Sequence, residues 1–363
     1  MTIELPANPR ILVVALRRLG DVLLTTPLIR SLKQAYPDAA IEALVFAGTE
    51  GILAGNPDLA GTIVMPARPT LRQSLALMRR LWRRYHLAIS TQTGDRPTAF
   101  AWGAGRRRIG MVEAEGGTAR LKRRMLKQWV VTDHELHRVA DLLRIADALN
   151  IRQAEALVPP AGATRPGIRP DRPYAVIHAV PMFRYKRWTA AGWRALAAGL
   201  GNRGLAVVAT GGPSQADRDY LDSVWTAPTD VRRLDGVPTW PELADLIAGA
   251  EVYIGPDTSV THLAAATGVP TVALYGPTDP RLFGPWPVGG LADPWSAAGT
   301  IQRRGNVVLV QNPLPCLPCQ QEGCDRHRES RSQCLDELSA AQVLAATDQA
   351  LARATTRASG AHA

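Results

Sequence analysis

Short apolar runs alternate with longer amphipathic stretches from the start of the chain. Residues 11–16 (ILVVAL) read as a buried strand. RRLGD follows, in which Gly20 permits a tight turn and Asp21 sits at or just before a helix start. The helix VLLTTPLIRSLKQAYP has a restart or kink at Thr26 and Pro27 and ends at Tyr36-Pro37-Asp38. A strand over 41–46 completes a βαβ opening, the mark of a doubly wound sheet. Strands over 63–65 and 87–90 flank a helix over 71–85 with a basic face of Arg72, Arg79, Arg80, Arg83 and Arg84. The strand at 87–90 exits into a polar loop, 91–96. A helix over 134–150 carries His134 and His137 near its start, both read as surface histidines.

Five prolines between 158 and 173 interrupt the pattern, and it then restarts. A strand over 174–178 leads through AVPMFRYKRW into a helix reaching about 200. A strand over 206–210 ends in Gly211-Gly212-Pro213, a helix follows through 221, and 231–234 precedes a helix over 240–248. Then comes AEVYIGPDTSVTHLAAATGVPTVALYGPTDP. It holds a strand at 251–254, capping residues Asp257, Thr258 and Ser259, a small-residue helix over 260–267 stopped by Gly268-Val269-Pro270, and a strand at 271–275. A strand at 307–310 and a helix at 336–354 remain, with a disordered tail at 355–363. The expected fold class is α/β, with an N-terminal domain at 1–158, a Pro-rich linker at 159–173 and a C-terminal domain at 174–335. Ligands of open α/β sheets bind outside the carboxyl ends of the strands. The polar loops 18–21, 94–96, 183–186, 211–215 and 257–262 all stand at such ends. They point to a phosphate-bearing ligand clasped between two domains.

A length of 363 residues accommodates two domains. The net charge of +10 is uneven: residues 1–160 hold 23 Lys+Arg against 14 Asp+Glu, and residues 161–363 hold 19 against 18. The basic half implies an anionic partner, whether a phosphorylated substrate, an anionic membrane surface or nucleic acid, with plain solubility as the bland alternative. Neither a G-x-G-x-x-G fingerprint nor a Walker GKS is present. MTIELPANPR lacks the features of a signal peptide, and no apolar run approaches the ~18 residues of a spanning helix, so a cytoplasmic location is expected. Cys316, Cys319, Cys324 and Cys334 share one stretch with C-x2-C-x4-C-x9-C spacing, which suits a structural zinc site or reduced thiols.

RRLGDVLLTTP, the strand-His-loop-KRW of 176–188, GGP at 211–213 and DTSVTHLAAATGVPTVALYGPTDP together resemble the bacterial heptosyltransferases of glycosyltransferase family 9, in the right order over about residues 10–350. The resemblance implies the GT-B fold, two Rossmann-like domains facing across a cleft. The N-terminal domain would bind the acceptor and the C-terminal one the nucleotide sugar. It implies transfer of heptose from an ADP-heptose to the inner core of lipopolysaccharide, with inversion. Asp21 matches the family's general base. Lys186 matches the lysine on the donor phosphates. Asp257, Thr258, Ser259 and His262 match the donor-contacting motif, although the family usually has Gly where Ser259 stands. His178-Ala179-Val180-Pro181 departs from the usual His-Pro-Gly-type loop. The acceptor would be an anionic lipid A–core, met at the cytoplasmic face of the inner membrane by Arg18, Arg96, Arg106, Arg107, Arg108, Arg120, Arg123 and Arg124. No metal or other cofactor is required, because Lys186 and the helix N-terminus can carry the leaving-group charge. Two other classes compete: a nucleic-acid-binding protein, disfavoured by few aromatics among the basic residues, and an inactive nucleotide-sugar-binding module.

Overall fold

The computed structural model describes residues 4–226, 230–236 and 238–360, with side chains described through 352. Val237, in the lead-in to the 240–248 helix, and the end of the tail, 361–363, lie outside the described residues. The chain divides into two compact units, Met1–Pro160 and Ala161–Ala363.

In the first unit, β1 (Arg10–Ala15) leads through α1 (Leu19–Leu23) and α2 (Thr26–Ala35) to β2 (Ala40–Phe46). Then come β3 (Gly61–Met65), α3 (Leu71–Leu81), β4 (Tyr85–Ser90), α4 (Asp95–Ala104), β5 (Gly105–Val112), α5 (Ala119–Leu126), β6 (Gln128–Val131) and α6 (Arg138–Ala148). The sheet order is β3-β2-β1-β4-β5-β6, and every pairing is parallel. Strand β1 is apolar on both sides because helices cover both faces. Ile11 and Val13 pack with Leu28, Leu32, Leu142 and Ile145 of α2 and α6. Leu12 and Val14 pack with Leu81, Phe100 and Leu126 of α3, α4 and α5. The winding reverses between β1 and β4, so the loops after these two strands flank the switch point.

Several expectations for this unit need correction. Gly20 lies inside α1 rather than in a turn of positive φ; the turn falls on Leu16–Arg18, before the helix. Pro27 does restart the helix, at the first turn of α2. The helix beginning at Leu71 stops at Leu81, because the chain needs Tyr85 to start β4 beside β1. The 91–96 segment is only partly a loop, since Asp95 opens α4. His137 is buried and caps α6, its Nδ1 accepting from the Val139 N–H at 3.2 Å, whereas His134 is at the surface beside Glu113.

The second unit contains β7 (Tyr174–His178), α7 (Ala190–Gly201), β8 (Ala206–Gly211), α8 (Gln215–Val224), β9 (Val231–Asp235), α9 (Trp240–Ala248), β10 (Val252–Pro256), α10 (Ser259–Thr267), β11 (Thr271–Leu274), α11 (Pro280–Phe283), β12 (Ile301–Arg304), β13 (Val307–Val310), α12 (Gln333–Asp336) and α13 (Ala340–Gly360). The sheet order is β12-β13-β11-β10-β7-β8-β9, parallel except for β12. Ala175, Ile177 and Val308 form one core with Trp193 and Leu196 of α7 and Val343, Ala346 and Ala350 of α13. On the other face Ala273, Tyr275 and Leu309 meet Ala265 of α10 and Trp295. The backbone of α13 stays helical to Gly360, past the expected end at 354. The Pro-rich stretch is tied down within this unit: Arg165 binds Glu242 through two 3.0 Å hydrogen bonds, and Arg169 pairs with Asp245, both partners on α9. Here the winding reverses between β7 and β10.

Candidate active site

Two clusters of chemistry stand at the two switch points. In the second unit, β7 ends at His178 and its loop closes in a 3-10 turn, Arg184–Lys186. Its neighbour β10 ends at Pro256, and α10 begins three residues on. Adjacent parallel strands thus deliver Lys186 and Asp257 to one sheet edge. The Lys186 ammonium forms an ion pair with Asp257, and the Thr278 hydroxyl donates to the same carboxylate oxygen at 2.6 Å. Asp257 is 9% exposed. Burial pushes its carboxyl up, but Lys186, His262 and the Thr278 hydrogen bond outweigh burial and hold it below the ordinary carboxylate value. The cluster therefore places an ionised carboxylate against an ammonium that has donors to spare.

The start of α10 is shaped by its own sequence. The Thr258 hydroxyl caps the helix, accepting from the Thr261 N–H at 3.3 Å. The Thr261 hydroxyl donates back to the Pro256 carbonyl at 2.5 Å and closes the turn from β10. Ser259 occupies the first helical position, and its free N–H groups and positive dipole end suit an anion. Gly268, with φ of 86°, ends the helix in the left-handed conformation that glycine tolerates best. His262 is buried close enough to Asp257 to favour its charge. His178 is also buried, its Nδ1 3.0 Å from the Thr210 hydroxyl, and burial depresses its pKa to about 4, so it is neutral at neutral pH.

The cysteine-bearing segment braces this edge. The Ser332 hydroxyl donates to the Tyr185 carbonyl at 2.6 Å, and the Gln320 N–H donates to the Pro277 carbonyl at 2.8 Å. Arg328 covers the Phe183 ring at 5.4 Å, and that ring stacks on Tyr185. Cys334 is buried; burial, together with the proximity of Cys319, Cys324 and Cys316, pushes its thiol up to about 12. Four thiols are the right donor set for zinc. Among the described residues, however, no group of three or more His, Cys, Asp or Glu side chains is placed to hold a metal ion. The thiols as placed do not fit the zinc reading, one of the two the spacing allows.

In the first unit, Asp21 lies in the first turn of α1, partly buried at the β1–β4 switch point. Arg138, at the start of α6, is a neighbour the sequence did not single out. Its guanidinium donates to the Thr91 carbonyl at 2.5 Å and lies 3.7 Å from Asp141. Burial lowers the Arg138 pKa, while Asp21 and Asp141 work to keep it charged and Arg17 opposes them. Asp21 thus shares its edge with a largely buried cation. Thr278 was also missed, although it stands in the quoted GPTDP. Arg18 and Arg96 follow the carboxyl ends of β1 and β4, at the edge that holds Asp21. Arg120, Arg123 and Arg124 lie on α5, which follows the carboxyl end of β5. Arg106 and Arg107 open β5 and so stand at the amino end of the sheet. Arg108 donates to the Met125 carbonyl at 3.1 Å. The eight arginines are therefore not brought to one place.

Residues 74–325 match the family described as glycosyltransferase family 9 (heptosyltransferase). The chain is 29% identical over 304 residues to lipopolysaccharide heptosyltransferase 3 of Escherichia coli, an alignment covering 74% of this chain and 83% of that one. Its structure resembles a glycosyltransferase family 9 protein from Veillonella parvula, with a TM-score of 0.79, 20% identity and coverage of 97% and 100% of the two chains. It also resembles the ADP-heptose lipopolysaccharide heptosyltransferase II of E. coli, with a TM-score of 0.72, 20% identity and coverage of 95% and 99%. These likenesses show the shared α/β fold of GT-B type. The family match spans more than half the sequence, so the chain belongs to glycosyltransferase family 9, the heptosyltransferases, and is a glycosyltransferase.

Proposed function

We propose that this enzyme moves heptose, or a related sugar, from an ADP-activated donor to the inner core of lipopolysaccharide, with inversion at the anomeric carbon. The observation that carries the reading is the Lys186–Asp257–Thr278 cluster beside the α10 N-terminus, at the switch point of the second sheet. In this reading the second unit binds the donor. Lys186 and the first N–H groups of α10, from Ser259 onward, take the diphosphate oxygens. Asp257, Thr258 and His262 hold the sugar and the phosphate-proximal groups. The first unit binds the acceptor. Its hydroxyl oxygen attacks the anomeric carbon as the bond from that carbon to the diphosphate oxygen breaks. Asp21 accepts the hydroxyl proton, and ADP leaves with its new negative charge held by Lys186 and the helix end. The chemistry needs no metal in this scheme.

Arg18, Arg96, Arg120, Arg123 and Arg124 are assigned to the anionic sugars and phosphates of the acceptor. Arg106 and Arg107, at the other end of the first sheet, are assigned to the anionic bilayer, with Arg108 supporting β5. The enzyme would then work at the cytoplasmic face of the inner membrane as a peripheral protein. Among the described residues no helix is long and apolar enough to cross a membrane. Nucleic acid is not a partner in this reading.

Two measurements test it. Asp21→Asn should lower transfer by about 10²–10⁴-fold, the usual worth of a general base, while donor binding survives. Normal transfer by this variant would remove Asp21 from the mechanism. In a thermal-shift series, ADP-sugars should stabilise the protein and UDP- or GDP-sugars should not; the reverse order would refute the donor assignment.

A further inference from the structure

A cavity of about 320 Å³ opens in the second unit beside the start of α7, lined by Arg184, Arg187, Arg331, Tyr220, Thr189 and Asp336 among others. Three guanidiniums meet one carboxylate there. Arg331 pairs with Asp336 at 3.2 Å. Arg187 lies over the Tyr220 ring at 4.1 Å, and its buried Nε has no hydrogen-bond partner among the described residues. Arg184 is exposed and makes no ion pair among the described residues. The 12-residue helix α7 adds its N-terminal turn, where Thr189 and Ala190 line the wall. Lys186 is turned to Asp257 and does not line this cavity.

We propose that this cavity is a second anion site, distinct from the donor site, that takes the phosphate group of a small ligand. Guanidiniums present paired N–H donors matched to phosphate oxygens, and among the described residues two of these three have no carboxylate partner. The net charge of the lining residues is positive, so a singly or doubly charged anion is balanced there. The volume is about ten times the share of liquid occupied by one water, enough for a phosphate with a monosaccharide attached. Inorganic phosphate and a sugar phosphate share the chemistry that the arginines read.

Titration calorimetry on the full chain, with inorganic phosphate and glucose 1-phosphate as separate probes, tests the site. The assay contains no nucleotide sugar, so its outcome is independent of the heptose reading. One-to-one binding of at least one probe is expected, in the wild type and, within about twofold, in Lys186→Ala. Tighter binding of the ester identifies a phosphorylated sugar as occupant, and tighter binding of inorganic phosphate identifies the free ion. Arg184→Gln combined with Arg331→Gln should weaken binding by about tenfold or more; both side chains are exposed, so the fold should survive. Absence of binding by both probes at millimolar concentration overturns the proposal. So does binding that is lost in Lys186→Ala but kept in the arginine variant, which would put the phosphate in the donor site.

Discussion

The ion pair of Lys186 and Asp257 asks one residue to serve two purposes. It stabilises a buried carboxylate, and it is the cation assigned to the donor diphosphate. These purposes separate under mutation. Lys186→Ala strands a carboxylate that is 9% exposed, so the expected loss is about 3 kcal/mol in urea unfolding. Replacing both partners, as Lys186→Met with Asp257→Leu, removes the stranded charge and should recover most of that stability. Donor binding should stay lost in the double variant. If donor binding returned with stability, Lys186 would be a structural residue only. The pH dependence has a definite sign. Because the folded Asp257 carboxyl is held below its unfolded value, its contribution is present above about pH 4 and is lost as pH falls through the lower folded value. His178 acts in a different window. Its folded pKa of about 4 lies below the ordinary 6.5, so the unfolded chain takes up a proton that the folded one refuses. Stability should fall by roughly 3 kcal/mol between pH 6.5 and pH 4 on this account and level off below. His178→Gln should flatten that part of a denaturation–pH profile; an unchanged slope would assign it to other groups.

Among the elements, the loop carrying Lys186 is fixed by parts of the chain far away in sequence. Gly276 is where the brace meets the sheet. A Cβ there would lie 2.9 Å from Cδ1 of the buried Leu335 and 3.3 Å from the Cys334 sulfur. Gly276→Ala must therefore push α12 outward, and α12 follows directly on Ser332, which holds the Tyr185 carbonyl. A loss of about 1–3 kcal/mol is expected from overpacking. The donor KM should rise several-fold, and the Cys334 thiol should react faster with a disulfide reagent. A stability loss with donor KM and thiol reactivity unchanged would show that the brace does not reach the donor loop. This coupling could not be read from the sequence, since nothing in TGVPTVALYGP announces a neighbour sixty residues later. Local signals fared better. Strands β7 and β13 and helix α9 coincide with their apolar runs, because a fully buried parallel strand and a Thr-capped helix are both written locally. The segment from α4 to β6 was harder. Its arginines masked strand β5, in which Arg106 and Arg107 are exposed at the sheet end and apolar burial starts only at Ile109. Asp257, Thr258 and Lys186 were legible as residues. That strand order would bring Lys186 and Asp257 to one edge depended on β10 pairing with β7, a long-range fact.

At the scale of the whole molecule, charge is divided by unit. Residues 1–160 carry a net +9 and residues 161–363 a net +1, and these ranges are the two compact units. Attraction between exposed charges is screened over about 10 Å at 0.1 M salt, whereas a buried pair is screened much less. The exposed arginines of the first unit, among them Arg96, Arg120 and Arg124, belong to the first class, and the sheltered Lys186 belongs to the second. The two substrates should therefore respond differently to salt if the first unit takes the polyanionic acceptor. Raising sodium chloride from 50 to 300 mM should increase the acceptor KM several-fold and change the donor KM by less than about twofold. Arg96→Gln, Arg120→Gln and Arg124→Gln together should weaken the acceptor at low salt and flatten its salt dependence, while leaving the donor KM in place. Were the donor KM to carry the salt dependence instead, the basic unit would not be the acceptor's, and the assignment of substrates to the two units would have to be reversed.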